Sequence, residues 1–206
     1  MIDLSRLKGN VPDSVFSLLP AALEKYEVNT SFRVPHFLGQ ISHESGNFTI
    51  KTESLYYKTA ERIVAIWPSR FNLTGTGGKK NANDYVRNEE KLAGAVYDGR
   101  MGNNNPGDGF RFRGGGFLQL TGKDAYKGYA EHINKTLEET ADLIRSNNVY
   151  SLDCSLWEYV TVMKLNTVAD QGMGDDIIKK ITKKINGGYN GLEDRISKVR
   201  KFDELT

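Results

Sequence analysis

The 206-residue sequence predicts a mainly α fold with one small β element. Three observations carry that reading. Apolar residues recur at helical spacing in several separate stretches. Proline or glycine follows most of those stretches and stops them. A single segment, 110–120, has an aromatic-rich pattern suited to extended structure, a short hairpin at most.

Taken in order, Val15 to Tyr26 reads as the first helix. Val34, Phe37, Leu38 and Ile41 follow at i, i+3, i+4 and i+7, one face of a second. Ala60, Ile63, Val64 and Trp67 repeat that spacing until Pro68 ends it. Asn72 to Asn83 is rich in Gly and Asn and reads as a flexible loop. Leu92 to Tyr97 is helical. Thr136 with Glu139 forms a capping box ahead of Leu137 to Ile144. Ile177, Ile178, Ile181 and Ile185 form a last stripe, closed by Gly187-Gly188.

Composition narrows the function classes. With 38% hydrophobic and 26% charged residues, the chain has the balance of a folded domain, not a disordered segment. Against 26 acidic residues stand 28 basic ones, so this is no coat for nucleic acid. Cys154 is the single cysteine, which excludes an internal disulfide framework. No window approaches a membrane span. Residues 1–8 hold no long apolar stretch, so no secretory signal is expected and the chain is expected to start in a reducing cytoplasm.

Two carboxylates stand out. Glu44 lies in His43-Glu-Ser-Gly46, at the end of the Val34 helix, and Glu53 lies nine residues on. On one unbroken helix that is about 13 Å of rise, on nearly opposite faces. The Gly46-Asn47 pair lets the chain turn, and a fold-back suits the roughly 6.5–9.5 Å carboxyl separation of an inverting glycosidase. A helix C-terminus disfavours a nearby negative charge, which biases Glu44 toward the role of general acid and leaves Glu53 as the base. Read as ordinary surface glutamates, both need no function at all.

The stretch from Tyr97 to Gly122 combines glycines with Phe110, Phe112 and Phe117 and with donors on Arg111, Arg113 and Gln119. Flat apolar faces beside hydrogen-bonding edges suit a sugar-binding cleft. The same mix suits an Arg-Gly nucleic-acid segment or a structural glycine loop. Asn186, before paired glycines, is either a helix C-cap or a substrate amide contact. Other patterns carry less. Gly75-Thr-Gly-Gly-Lys-Lys80 has the wrong glycine spacing for a phosphate loop, and Lys80 stands where Ser or Thr is needed. His43-Glu44 lacks the second His of a zinc helix, because position 47 is Asn, and His36 and His132 have no ligand spacing. Lys179, Lys180, Lys183 and Lys184 make a basic face, either solvated or set against an anionic wall or membrane surface.

In their order along the chain, Gly39-Gln-Ile-Ser-His-Glu-Ser45, Glu53-Ser-Leu-Tyr-Tyr57, Ala60-Glu-Arg62, Pro68-Ser-Arg-Phe71, Tyr97 to Gly102, Gly107-Asp-Gly109, Arg113 to Gly122 and Ile185-Asn-Gly-Gly188 resemble glycoside hydrolase family 19. That family groups plant and bacterial chitinases with bacteriophage endolysins, and the segment from Glu53 to Phe71 resembles the phage and bacterial branch. The resemblance implies a lysozyme-like fold, mainly α, with two lobes around a cleft, and β-1,4 hydrolysis with inversion. It implies Glu44 as general acid and Glu53 as general base, with Thr121 holding the attacking water. Gln119, Asn186 and Tyr57 then contact substrate, and Arg195 matches an arginine near the catalytic carboxylate. Tyr56, Phe112 and Phe117 are further candidates for stacking or core packing. Departures from the family are the lack of disulfides, the short gap between the glutamates, and Gly115 where many relatives carry Arg.

The expectation is one catalytic domain over 1–206, with no separate wall-binding domain. It is a phage endolysin that cleaves glycan strands of peptidoglycan as a muramidase, needs no cofactor or metal, and acts as a monomer. It binds no nucleic acid, inserts in no membrane, and waits in the host cytoplasm until a holin opens the way to the cell wall. The rivals are a chitinase, a lytic transglycosylase and a non-catalytic wall-binding protein.

Overall fold

A computed structural model describes residues 2–206. In chain order its helices are α1 (Asp13–Phe16), α2 (Leu19–Lys25), α3 (Arg33–Glu44), α4 (Ala60–Ile66), α5 (Glu89–Tyr97), α6 (Asp108–Arg111), α7 (Lys123–His132), α8 (Leu137–Ser146), α9 (Asn148–Trp157), α10 (Asn166–Ala169), α11 (Asp175–Asn186) and α12 (Leu192–Leu205). A π-turn, Glu158–Val162, continues α9. The strands β1 (Phe71–Asn72) and β2 (Lys80–Asn81) pair in parallel. Among the described residues no helix is long and apolar enough to cross a membrane.

The chain divides into two compact units. The first takes residues up to Lys51, Gly115–Leu120 and Asp142–Thr206. Its centre is α3, which is buried without interruption from Val34 to Ser42. A helix buried on every side is a core helix, and its polar members then need partners. His36 finds one in the Gly172 carbonyl at 2.9 Å, and Gln40 finds one in the Thr182 hydroxyl at 3.1 Å. Helix α12 packs against α3 through Gly39, where an added Cβ would lie 2.4 Å from Val199 Cγ2. The expected helix over 15–26 is two helices, α1 and α2. Pro20 sits in the first turn of α2, a position that starts a helix and suits no interior.

The second unit takes Thr52–Gly114 and Thr121–Ala141. Its core gathers Leu55, Ala60, Ile63, Phe71, Ala82, Leu92, Ala93 and Val96, with Tyr57, Trp67 and Tyr97 packed against it. Thr59 caps α4 by accepting from the Arg62 amide, and Asn88 caps α5 by accepting from the Lys91 amide. The capping box of Thr136 and Glu139 is formed in both directions, at 3.0 and 3.2 Å.

The β structure lies elsewhere than expected. Segment 110–120 is no hairpin: its start belongs to α6, and one antiparallel bridge joins Gly115 to Leu120. Phe112 and Phe117 are buried, so they pack in the interior and are not stacking platforms. The strands instead bracket the Gly/Asn loop. There Asn72 Oδ1 accepts from the amides of Thr74 and Gly75, and Asn72 Nδ2 donates to the Thr76 carbonyl. These Asx-type bonds and the β1–β2 pairing close the segment into a built loop.

Candidate active site

Glu44 is the last residue of α3. The chain turns at once: Gly46, Asn47 and Phe48 all have φ between 55° and 64°, a left-handed run costly for non-glycine residues. Side chains hold it. Ser45 Oγ accepts from the Phe48 amide at 2.8 Å, and Ser42 Oγ donates to Asn47 Oδ1 at 2.8 Å.

Glu44 is not a lone carboxylate at a helix end. Its Oε1 is paired with Nη2 of Arg195, a residue of α12 that is almost fully buried. Arg195 is anchored on its other edges: Nη1 donates to Gln40 Oε1 at 2.7 Å and Nε to the Asn190 carbonyl at 3.1 Å. A buried guanidinium is tolerable only with such full partnering. From sequence alone, the helix end is the deciding influence on Glu44. Arg195 stands closer, and it presents the opposite charge.

Asn186 ends α11, with Gly187 in the left-handed conformation after it. Its Oδ1 accepts from the Gly188 amide at 2.8 Å, and its Nδ2 donates to the Asn190 carbonyl at 3.2 Å. Asn186 therefore braces the turn whose Asn190 carbonyl also receives Arg195. Of the two sequence readings, the capping one describes these contacts. Next to Glu44, His43 Nδ1 lies 2.6 Å from Asp194 Oδ2, and its ring fills the space where a Cβ on Gly191 would sit.

Glu53 belongs to the second unit. Tyr97 donates its hydroxyl to Oε1 at 2.7 Å, and the Gly114 amide donates to Oε2 at 3.0 Å. Its backbone is held as well: the Glu53 amide donates to the Gly114 carbonyl at 2.8 Å, and Arg113 Nε donates to the Glu53 carbonyl at 3.2 Å. Arg113 also reaches the Phe110 carbonyl at 2.7 Å and lies 3.9 Å over the Phe110 ring. Burial first, then the charge of Glu53, raises the pKa of both Tyr97 and Tyr57, so both phenols stay protonated, and Tyr97 is the one that donates to Glu53. With one bond on each oxygen, Glu53 keeps lone pairs free for a water proton.

Thr121 is half-buried and precedes Gly122, whose amide donates to the Phe112 carbonyl at 2.8 Å. That bond lays 121–122 alongside 112–114, the stretch that grips Glu53. Gln119 belongs to the first unit, in the loop bridged by Gly115 and Leu120; it has φ 62° and donates to the Gly116 carbonyl at 2.9 Å. Tyr57 packs its ring against Trp67 at 5.6 Å.

Sequence reasoning missed Tyr97 as a partner of Glu53, and missed Glu158 altogether. Tyr97 carried a signal only as the last residue before a glycine-rich run. Glu158 carried a clearer one, a single acid inside the apolar run Leu156 to Val160. Burial first, and the charge of Glu44 second, push its carboxyl up to about 8.

The mostly helical fold that carries these two glutamates is similar to that of solved chitinases. In sequence, the chain is similar to a glycosyl hydrolase family 19 domain-containing protein. That protein, from Haemophilus influenzae, is 29% identical over 206 aligned positions, covering 97% of this chain and 92% of the relative. Chitinase C of Streptomyces griseus superposes with a TM-score of 0.60 at 16% identity, over 98% of this chain and 74% of the chitinase. A bacterial family 19 chitinase superposes with a TM-score of 0.61 at 17% identity, over 98% and 91%. No family model matches the sequence.

Proposed function

We propose that the protein is a bacteriophage endolysin that hydrolyses β-1,4 bonds in the glycan strands of peptidoglycan, as a muramidase, with inversion. The observation that carries the reading is the contrast between the two glutamates. Glu44 is tied to a guanidinium on a buried helix, while Glu53 is held by a phenol and an amide with lone pairs to spare. Glu44 protonates the glycosidic oxygen as the C–O bond breaks. Glu53, with Thr121, takes a proton from the water that attacks the opposite face of the sugar. Such an acid–base pair needs no metal or cofactor. The short spacing between the glutamates and the phage-like segment from Glu53 to Phe71 support peptidoglycan as the polymer.

In this reading the protein is a monomer held in the host cytoplasm. A membrane-permeabilising holin then gives it access to the wall. A second reading is chitin hydrolysis, favoured by the chitinase neighbours in fold. Mass spectrometry of fragments from purified peptidoglycan, with Glu44→Gln in parallel, separates them. Muropeptides with reducing MurNAc ends, absent with the variant, are expected. Reducing GlcNAc ends would move the cleaved bond, and release from chitin oligomers alone would establish the chitinase.

A further inference from the structure

The second unit holds a groove that neither glutamate lines. It runs along α5 and encloses about 670 Å³, room for a few residues of a chain. Asn88, Lys91, Ala95 and Asp98 follow at helical spacing and form one wall. Tyr85 and Phe110 add aromatic rings to the lining. Both rings are fixed in place: Tyr85 meets Phe71 edge-on at 5.2 Å, and Arg113 lies 3.9 Å over Phe110. Gly94 and Gly107 line the groove without a side chain, and a Cβ on Gly107 would meet nothing within 4 Å.

The walls carry both signs of charge. Lys80 and Lys91 bring ammonium groups, and Glu90 and Asp98 bring carboxylates. Among the described residues, the side chains of Lys80 and Glu90 make no ion pair or hydrogen bond. Lys91 Nζ lies 5.0 Å over the Tyr85 ring and pairs with no acid. Asp98 uses one oxygen on the Gly109 amide at 2.7 Å and keeps the other. A neutral glycan offers such groups no counter-charge. A short peptide that carries carboxylates and an amine offers both, in charge-assisted bonds.

The groove and Glu53 are built on the same parts. Tyr97, which donates to Glu53 Oε1 at 2.7 Å, directly precedes Asp98 of the wall. Arg113, the cation over Phe110, also donates to the Glu53 carbonyl at 3.2 Å. At the start of α5, Glu89 accepts from the Leu55 amide at 2.9 Å, two residues beyond Glu53. The nine residues of α5 span about 13 Å. An extended peptide of four residues spans about 13–14 Å. A peptide attached to a sugar at Glu53 is therefore long enough to follow the wall.

We propose, resting on the reading of the chain as a peptidoglycan hydrolase, that this groove binds the peptide stem of the glycan strand. Lys80 and Lys91 take the stem carboxylates, Glu90 and Asp98 take its amine, and Tyr85 and Phe110 cover its apolar side chains. The groove then sets specificity. Chitin has no stem and gains nothing there, whereas a stem-bearing sugar is held at a second point while Glu53 works on the strand.

Binding and turnover are read separately, on the full chain. In amide NMR, a free stem tetrapeptide is expected to shift signals from residues 80–98 and 107–110, and a GlcNAc oligomer is expected to leave them in place. Lys80→Ala and Lys91→Ala should each weaken stem binding about tenfold, with circular dichroism as the check on folding. Lys79→Ala, a neighbour that does not line the groove, should bind as the wild type does. For turnover, kcat/KM on intact strands is compared with kcat/KM on strands stripped of their stems by an amidase. The ratio is expected to be about tenfold in the wild type and near one in the Lys80→Ala/Lys91→Ala double variant. No stem-induced shifts, an equal loss in Lys79→Ala, or a wild-type ratio near one would overturn the stem site. A wild type inert on every glycan would overturn the functional reading instead, and the stem titration would still decide the groove.

Discussion

Tyr97 places its hydroxyl 2.7 Å from Glu53 Oε1, and its pKa is raised, so it donates at every working pH. A hydrogen bond to a charged group is worth about 1.5–3 kcal/mol. Tyr97→Phe removes that donor and keeps the ring that packs in the second unit. The expected outcome is a fall in kcat of roughly tenfold or more with little change in melting temperature, read by steady-state kinetics and a thermal melt. Glu158 makes a prediction of a different kind. Its folded-state carboxyl is raised to about 8, against an ordinary glutamate value of 4.5 in the unfolded chain. Between those values the native chain binds more protons than the unfolded one, so stability falls as pH rises from about 4.5 through 8. Melting temperatures over that range should fall less steeply in Glu158→Gln than in the wild type. Parallel slopes would show that the carboxyl titrates normally.

Gly39 sits where α3 and α12 touch, and its Cβ would overlap both the side chain and the backbone of Val199. A backbone contact cannot rotate away, so Gly39→Ala must spread the helices. A loss of about 1–3 kcal/mol is expected in chemical denaturation, with Arg195 drawn off Glu44 and activity reduced beyond the stability loss. Thr59→Ala, by contrast, removes only the cap of α4 and should cost about 1 kcal/mol with activity kept. The elements readable in the sequence were those with one apolar face and a stop signal, such as α4, with its periodic Ala60, Ile63 and Val64, and α11, with its isoleucine stripe and Gly187. Segment 110–120 misled because Phe112 and Phe117 are buried from a glycine turn, where alternation means nothing. Of the site, the glutamates and the turn at Gly46 were legible from local chemistry. Arg195 was found only through the family resemblance, because its contact with Glu44 spans 151 residues and leaves no local trace.

At the scale of the whole chain, the two units are interleaved: the sequence passes between them after Lys51, Gly114, Leu120 and Ala141. Neither unit is a continuous segment, so truncation cannot release one intact. Removing 192–206 takes away α12, with buried Arg195, Val199 and Phe202, and leaves α3 without its partner. Such a chain is expected to lose its cooperative melt. Within the intact chain, the role of Glu53 fixes the stereochemistry. If Glu53 deprotonates water, that water attacks the face opposite the departing oxygen, and the first product of a β-linked glycan is the α-anomer. If Glu53 were instead a nucleophile, two displacements would restore the β-anomer. A lytic transglycosylase would give a 1,6-anhydro end, with no reducing sugar. Proton NMR of the anomeric region in the first minutes of digestion, before mutarotation mixes the forms, distinguishes all three, and α is the expected signal. The same spectra on Glu53→Gln should show no product. If Glu53→Gln kept forming α-anomer, another residue would be holding the water, and Thr121, beside the stretch that grips Glu53, would be the first side chain to replace.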